Sequence, residues 1–227
     1  MPFPGLVERV REVQGRIAEA VSRGGHRQRV ELIAVTKTHG ADAVLAAWEC
    51  GLTSVGENKV QEALGKMDEV HVPVAWHLIG HLQRNKAKFT TRFALIHSMD
   101  SARLADALHE VGRREGKRLR VLAQVNTSGE ETKGGYTLEG LRADAARLAT
   151  LDGIEVVGVM TMAPYDAEES VLRATFAGAR AARAALRDAG LAAHELSMGM
   201  SNDYEVAVEE GATMVRLGTI LFGERTP

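Results

Sequence analysis

Lys37 is the residue best placed for covalent chemistry. It closes the apolar, β-branched run at positions 30–36 (Val-Glu-Leu-Ile-Ala-Val-Thr), so its stem would project from a strand end over low-dielectric surroundings. Burial disfavours an ammonium and lowers the lysine pKa. A neutral amine is what attack on an aldehyde requires, so the position suits Schiff-base formation. A lysine that only lays its stem on apolar surface and keeps its charge in water fits the same position. Two later segments favour the chemical reading. Positions 198–205 (Met-Gly-Met-Ser-Asn-Asp-Tyr-Glu) set a turn through Gly199 and Met200 before a predicted helix. Ser201 or Asn202 would cap that helix, with Glu205 completing a capping box with Asn202. Free backbone N–H groups and a hydroxyl at such a start bind anions. Gly218 and Thr219 add an unhindered backbone approach and a second hydroxyl, so Met200, Ser201, Gly218 and Thr219 together suggest a phosphate cradle. Arg216 lies just inside it. Either it pairs with a carboxylate, or it faces the ring nitrogen of a phosphorylated pyridine lying between cradle and Lys37. A guanidinium donates hydrogen bonds and never accepts a proton. Such a ring would stay unprotonated and be a weak electron sink.

These residues need a scaffold that brings distant segments to one place, and the hydrophobic pattern supplies one. Residues 6–23 have apolar positions three or four apart (Leu6, Val10, Val13, Ile17, Val21) and stop at Gly24-Gly25, which predicts a helix. Strands are then expected at 30–36, 53–56, 74–79, 94–97, 119–125, 154–160, 195–198 and 213–217, nearly all followed by a helix. Asn58 with Gln61, and Asp166 with Glu169, read as helix starts, and Asp100 as a cap. Strict alternation implies a parallel sheet walled by helices. Eight units predict a single α/β domain over residues 1–227: a (β/α)8 TIM-type barrel with an extra N-terminal helix. An open doubly wound sheet is the alternative, but no G-x-G-x-x-G follows the first strand. In a barrel the carboxyl ends of the strands share one mouth, and the loops after strands seven and eight are its recurrent phosphate site. Lys37, Asn58, His77, Arg216 and the cradle all fall at that mouth.

Composition removes other classes. Lys and Arg number 28 against 30 Asp and Glu, interspersed, for a net charge of −2, so nothing marks a nucleic-acid or acidic-membrane surface. The densest basic stretch, 113–120, sits where a helix runs into a strand and complements the helix dipole. Cys50 is the single cysteine, which rules out an internal disulfide and favours the cytoplasm; a packed thiol fits its apolar run better than a nucleophile. No secretory signal or membrane span is expected. His77 and His81 are four apart, but along an extended chain that spacing covers ~13 Å, so no metal is expected.

Six blocks of the sequence also resemble one family. They are Ala-Val-Thr-Lys-Thr at 34–38, Gly-Glu-Asn-Lys-Val-Gln-Glu at 56–62, and Trp-His-Leu-Ile-Gly-His-Leu-Gln-Arg-Asn-Lys at 76–86. The others span 125–135, 196–203 and 215–223. In order and over essentially the whole chain, they are similar to the YggS/PROSC-type pyridoxal phosphate (PLP) homeostasis proteins, relatives of the alanine racemase barrel domain. The resemblance implies that Lys37 forms the aldimine with PLP and that Ser201, Gly218 and Thr219 bind its phosphate, beside Met200. It further implies that Arg216 faces the pyridine nitrogen, with Asn58 and His77 close to the ring. Thr36 and Lys59 stand where serine and arginine are frequent, and neither is a proposed cofactor contact.

Three functions compete. A non-catalytic PLP carrier would hold the cofactor and pass it to apo-PLP enzymes. An amino-acid racemase-like PLP enzyme would turn substrate over. A barrel enzyme acting on a phosphorylated metabolite would need no PLP. Two-base racemisation requires acid–base groups on both faces of the substrate carbon. The second, β-rich domain that supplies an opposing tyrosine in such racemases is not expected here, and an open mouth admits water. The expectation is therefore a cytoplasmic, monomeric PLP carrier.

Overall fold

The computed structural model describes residues 2–127 and 134–223. Its strands are β1 (Glu31–Val35), β2 (Ser54–Glu57), β3 (Ala75–Leu78), β4 (Leu95–Met99), β5 (Leu119–Gln124), β6 (Ile154–Met160), β7 (Glu195–Ser197) and β8 (Met214–Leu217). They pair in parallel and in sequence order, and β8 returns to β1, closing the barrel. Strands buried on both faces need continuous apolar sequence, and β2, β4 and β8 are buried at every position. Closure excludes the open doubly wound alternative.

Alternation divides each strand between two cores. Ile33, Leu95, Leu122, Val157, Met160 and Met214 pack inside the barrel, while a larger cluster fills the space between sheet and helices. Register carries polar side chains onto the inner face. Arg216 pairs with Ile33, His77 with both Gly56 and Leu95, and Ser197 with Met160. His97 is two residues beyond Leu95 and so also points inward.

The helices are α1 (Leu6–Gly24), α2 (Ala41–Glu49), α3 (Val60–Glu69), α4 (Ala102–Glu115), α5 (Leu138–Leu148), α6 (Glu169–Asp188), α7 (Tyr204–Glu209) and α8 (Thr219–Phe222), with a 3-10 helix at Arg84–Phe89. The extra helix α1 buries Leu6, Val10, Val13, Ile17 and Ala20. Each large aliphatic among them contributes roughly 1.5–3 kcal/mol. That face meets α7 and α8, and Arg9 Nε donates to the Leu221 carbonyl at 2.7 Å, so α1 braces the elements that follow strands seven and eight. Arg113 and Arg114 end α4 before Gly116, as the dipole reading expects.

The helix starts differ from expectation. Ile79 N–H donates to the Glu57 carbonyl at 2.9 Å, which prolongs the β2–β3 ladder, and α3 begins only after Lys59. Asn58 is therefore not a cap. Its backbone presses on Gly80, where a Cβ would meet the Asn58 carbonyl oxygen at 2.4 Å. Ser101, rather than Asp100, caps α4; Asp100 accepts from the Ser101 hydroxyl at 2.9 Å. Glu168 precedes α6 without a side-chain cap, and Asp166 lies outside it at φ 56°. Asn202 and Glu205 form no box either. The residue before α7 is Asp203, whose carboxylate reaches backward to the Met200 N–H.

Candidate functional site

Lys37 lies two residues past the end of β1. The Thr36 N–H still donates to the Gly56 carbonyl at 3.1 Å, so Lys37 emerges while the chain is tied to β2. Thr36 is buried with the wall facing α3, and Lys37 opens the turn that follows. Asn58 ends the neighbouring strand on one side. On the other, Gly218 lies against Val35, where a Cβ would come within 3.4 Å.

The turn after β7 is built on Gly199. Its φ of 97° is left-handed, and a Cβ there would sit 2.7 Å from that of Ala207 and 2.9 Å from Tyr204 Cα. Glycine lets the chain fold tightly onto α7. The turn is pinned by Asp203, which accepts the Met200 N–H at 2.6 Å, and by Arg216 N–H donating to the Gly199 carbonyl at 3.0 Å. Met200 thus directs its amide into the turn. Ser201 Oγ accepts the Ile220 N–H at 3.4 Å, which joins the strand-seven turn to the Gly218–Thr219 segment. Ser201, Gly218 and Thr219 are brought together at the mouth.

Arg216 is 4% exposed. Burial pushes its pKa down to about 10, with the Asp203 charge pulling the other way, so it stays charged at neutral pH. Its Nη1 donates to Ser197 Oγ at 2.6 Å and its Nη2 to the Thr161 carbonyl at 2.9 Å. From Ser197 the polar chain continues inside the barrel. His97 Nδ1 lies 2.9 Å from Ser197 Oγ, and His97 Nε2 lies 2.9 Å from His77 Nδ1. Both imidazoles are buried. Desolvation pushes His77 down to about 4, and desolvation with neighbouring His77 and Arg216 pushes His97 well below the ordinary range. Both rings are therefore neutral at pH 7. Since Ser197 accepts from Arg216, its one proton is free for His97 Nδ1. His97 Nε2–H then donates to His77 Nδ1, and His77 Nε2–H faces Glu31 Oε1, 4.0 Å away.

His77 thus reaches Arg216 through two residues, His97 and Ser197, that strand-end polarity alone left without a role. The signal that marks them is alternation: Leu95 faces inward, so His97 must, and Ser197 shares register with Met160. Cys50 is half-buried and burial raises its pKa, which favours the thiol over the thiolate. His81 lies beyond β3 and pairs with Asp100 at 3.3 Å; among the described residues no three metal-ligating groups converge. None of the helices there is long and apolar enough to cross a membrane. Residues 128–133, part of the fourth resembling block, lie outside the described residues.

The model of the alanine racemase N-terminal domain matches residues 13–226. The pyridoxal phosphate homeostasis protein of Aquifex aeolicus is 40% identical over 222 residues, covering 96% of this chain and 97% of that one. The protein of the same name from Pseudomonas aeruginosa is 41% identical over 223 residues, covering 97% and 96%. The solved structure of Synechococcus elongatus PipY with PLP bound superposes with a TM-score of 0.85 at 36% identity, covering 96% of this chain and all of that one.

Proposed function

Since this chain belongs to the pyridoxal phosphate homeostasis proteins, within the alanine racemase N-terminal domain family, we propose that it binds PLP at the barrel mouth through Lys37 and keeps it rather than using it. The observation that carries this reading is Arg216: a buried guanidinium, one strand from Lys37, held at Nη1 by Ser197 and at Nη2 by the Thr161 carbonyl, with further N–H donors to satisfy. It needs an acceptor, and a pyridine nitrogen is one.

Bound, PLP supplies an aldehyde and a ring able to take up electrons. The Lys37 amine condenses with the aldehyde carbon; a C=N bond forms and water leaves. Ser201 Oγ and the backbone at Gly218 and Thr219 receive the phosphate, with Met200 shaping the turn. Arg216 donates to the ring nitrogen and leaves it without a proton. Asn58 flanks the ring from the end of β2, and His77 lies deeper in the barrel, its ring nitrogens turned to His97 and Glu31. The residues fit the group: an anion cradle, an amine and a donor-only arginine share one mouth.

The tyrosines argue against two-base turnover. The Tyr136 hydroxyl donates to Asp144 at 3.0 Å, and burial raises its pKa. Tyr204 is packed beneath Arg16, and Tyr165 is exposed. We therefore read the protein as a monomeric cytoplasmic carrier that can hand PLP to apo-enzymes. The test is the absorbance spectrum of wild type beside Lys37→Ala, with borohydride reduction and peptide mapping, and an amino-acid turnover assay. A yellow, reducible adduct on Lys37 without turnover is expected. An unchanged Lys37→Ala spectrum refutes the linkage, and sustained racemisation refutes the carrier role.

A further inference from the structure

Thr38, the residue after Lys37, has φ of 68°. A β-branched side chain rarely adopts that left-handed conformation, so something must hold the turn. Glu62 Oε1 accepts the Thr38 N–H at 2.8 Å. On the other side of Lys37, Lys66 Nζ donates to the Thr36 carbonyl at 2.9 Å, and the Thr36 hydroxyl donates to Glu57 Oε1 at 2.6 Å. The same ammonium bridges both carboxylates, 2.7 Å from Glu57 and 3.1 Å from Glu62. Lys66 and Glu57 are buried, and Glu57 Oε2 has no partner. Burial raises the Glu57 pKa against the pull of Lys66 and Thr36. Burial works against the Glu62 charge too, but the Thr38 N–H and Lys66 outweigh it and hold that carboxyl below its usual range. Buried charges of this kind add little net stability. Their bonds converge instead on the two neighbours of one lysine.

We propose that Lys66, Glu57 and Glu62 are positioning residues that clamp Thr36 and Thr38 from behind the barrel wall and so aim Lys37 into the mouth. The proposal rests on the reading that Lys37 carries PLP. The ammonium fixes the carbonyl before Lys37, Glu62 fixes the amide after it, and the salt bridge between them locks the two grips together. Lys37 is left one direction, inward.

The test is PLP titration of the full chain, followed by absorbance, visible circular dichroism of the bound chromophore and the thermal midpoint. Lys66→Met and Glu62→Ala are expected to weaken PLP binding about tenfold and to reduce the dichroism per bound PLP. Glu62→Gln keeps an acceptor for Thr38 and should stay within about threefold of wild type. Thr38→Gly removes the strain, so Glu62→Ala should weaken binding less in that background. Glu62 is partly exposed, so its variants serve even if Lys66→Met does not fold. A lowered thermal midpoint with unchanged affinity and dichroism overturns the positioning role. A wild type lacking an adduct on Lys37 overturns both readings.

Discussion

The neutral histidine pair inside the barrel makes stability depend on pH in a defined window. His77 is pushed down to about 4 from an ordinary value of 6.5, chiefly by desolvation. Below pH 6.5 the unfolded chain takes up a proton there that the folded chain declines. Stability is therefore complete above 6.5 and is lost as pH falls toward 4. Each pH unit inside that window removes about 1.4 kcal/mol, so between pH 7 and pH 5 His77 alone accounts for about 2 kcal/mol. His97 shifts in the same direction and adds to the loss. The lowered carboxyls Glu62, Asp144, Glu209 and Glu210 act only below about 4.5 and leave the window clear. Glu57 is raised, so it acts with the opposite sign and offsets part of the effect. Urea unfolding of the PLP-free protein at pH 7, 6 and 5 gives the slope. The same series on His77→Gln/His97→Gln isolates the pair, because Glu57 is common to both proteins. The double variant should lose at least about 2 kcal/mol less over that range. Parallel pH dependences in the two proteins refute the assignment of two neutral buried imidazoles.

Ser197→Ala removes the hydroxyl shared by Arg216 and His97 and leaves buried donors unpaired. It should destabilise the fold by about 1–3 kcal/mol and weaken PLP binding, as read by chemical unfolding and PLP titration. Tyr204→Phe should be neutral or stabilising by up to about 1 kcal/mol in the same unfolding assay, because the buried hydroxyl it removes has no partner.

The sequence makes the barrel legible because the apolar runs are short, β-branched and separated by helical periods. It makes the mouth legible because a barrel fixes which strand ends meet. Lys37, Ser201, Arg216, Gly218 and Thr219 fall where that rule puts them. Helix starts are misread wherever tertiary bonds compete with local capping. Asn58 stays extended because the β2–β3 ladder continues past it, and Asp203 turns back to Met200 because Gly199 folds the chain onto Ala207. The supports behind the site are harder to see. Glu62 and Lys66 look like an ordinary surface i,i+4 pair. Only the closure of α3 on β1 buries the lysine and gives it the Thr36 carbonyl. Thr38 carries no sequence mark of its positive φ, since threonine is an improbable choice there.

On the carrier reading, the neutrality of His77 and His97 bears on what Arg216 can do. A protonated His97 would set a second cation two bonds away through Ser197 and weaken the arginine's hold on any acceptor. Burial prevents that by keeping the ring neutral. Its two fixed partners, a hydroxyl and a carbonyl, both accept from it. Neither can donate through it, because a guanidinium has no lone pair to relay a proton. Whatever the protonation of the chain beyond Ser197, no proton reaches a ring nitrogen bound to Arg216 by this route. Without that proton a bound ring would stabilise a carbanion poorly, while the proposed grip of Lys37 and the phosphate cradle would be unaffected. On that reading Arg216 favours retention over carbanion chemistry, and the bonds that hold it are made inside the barrel.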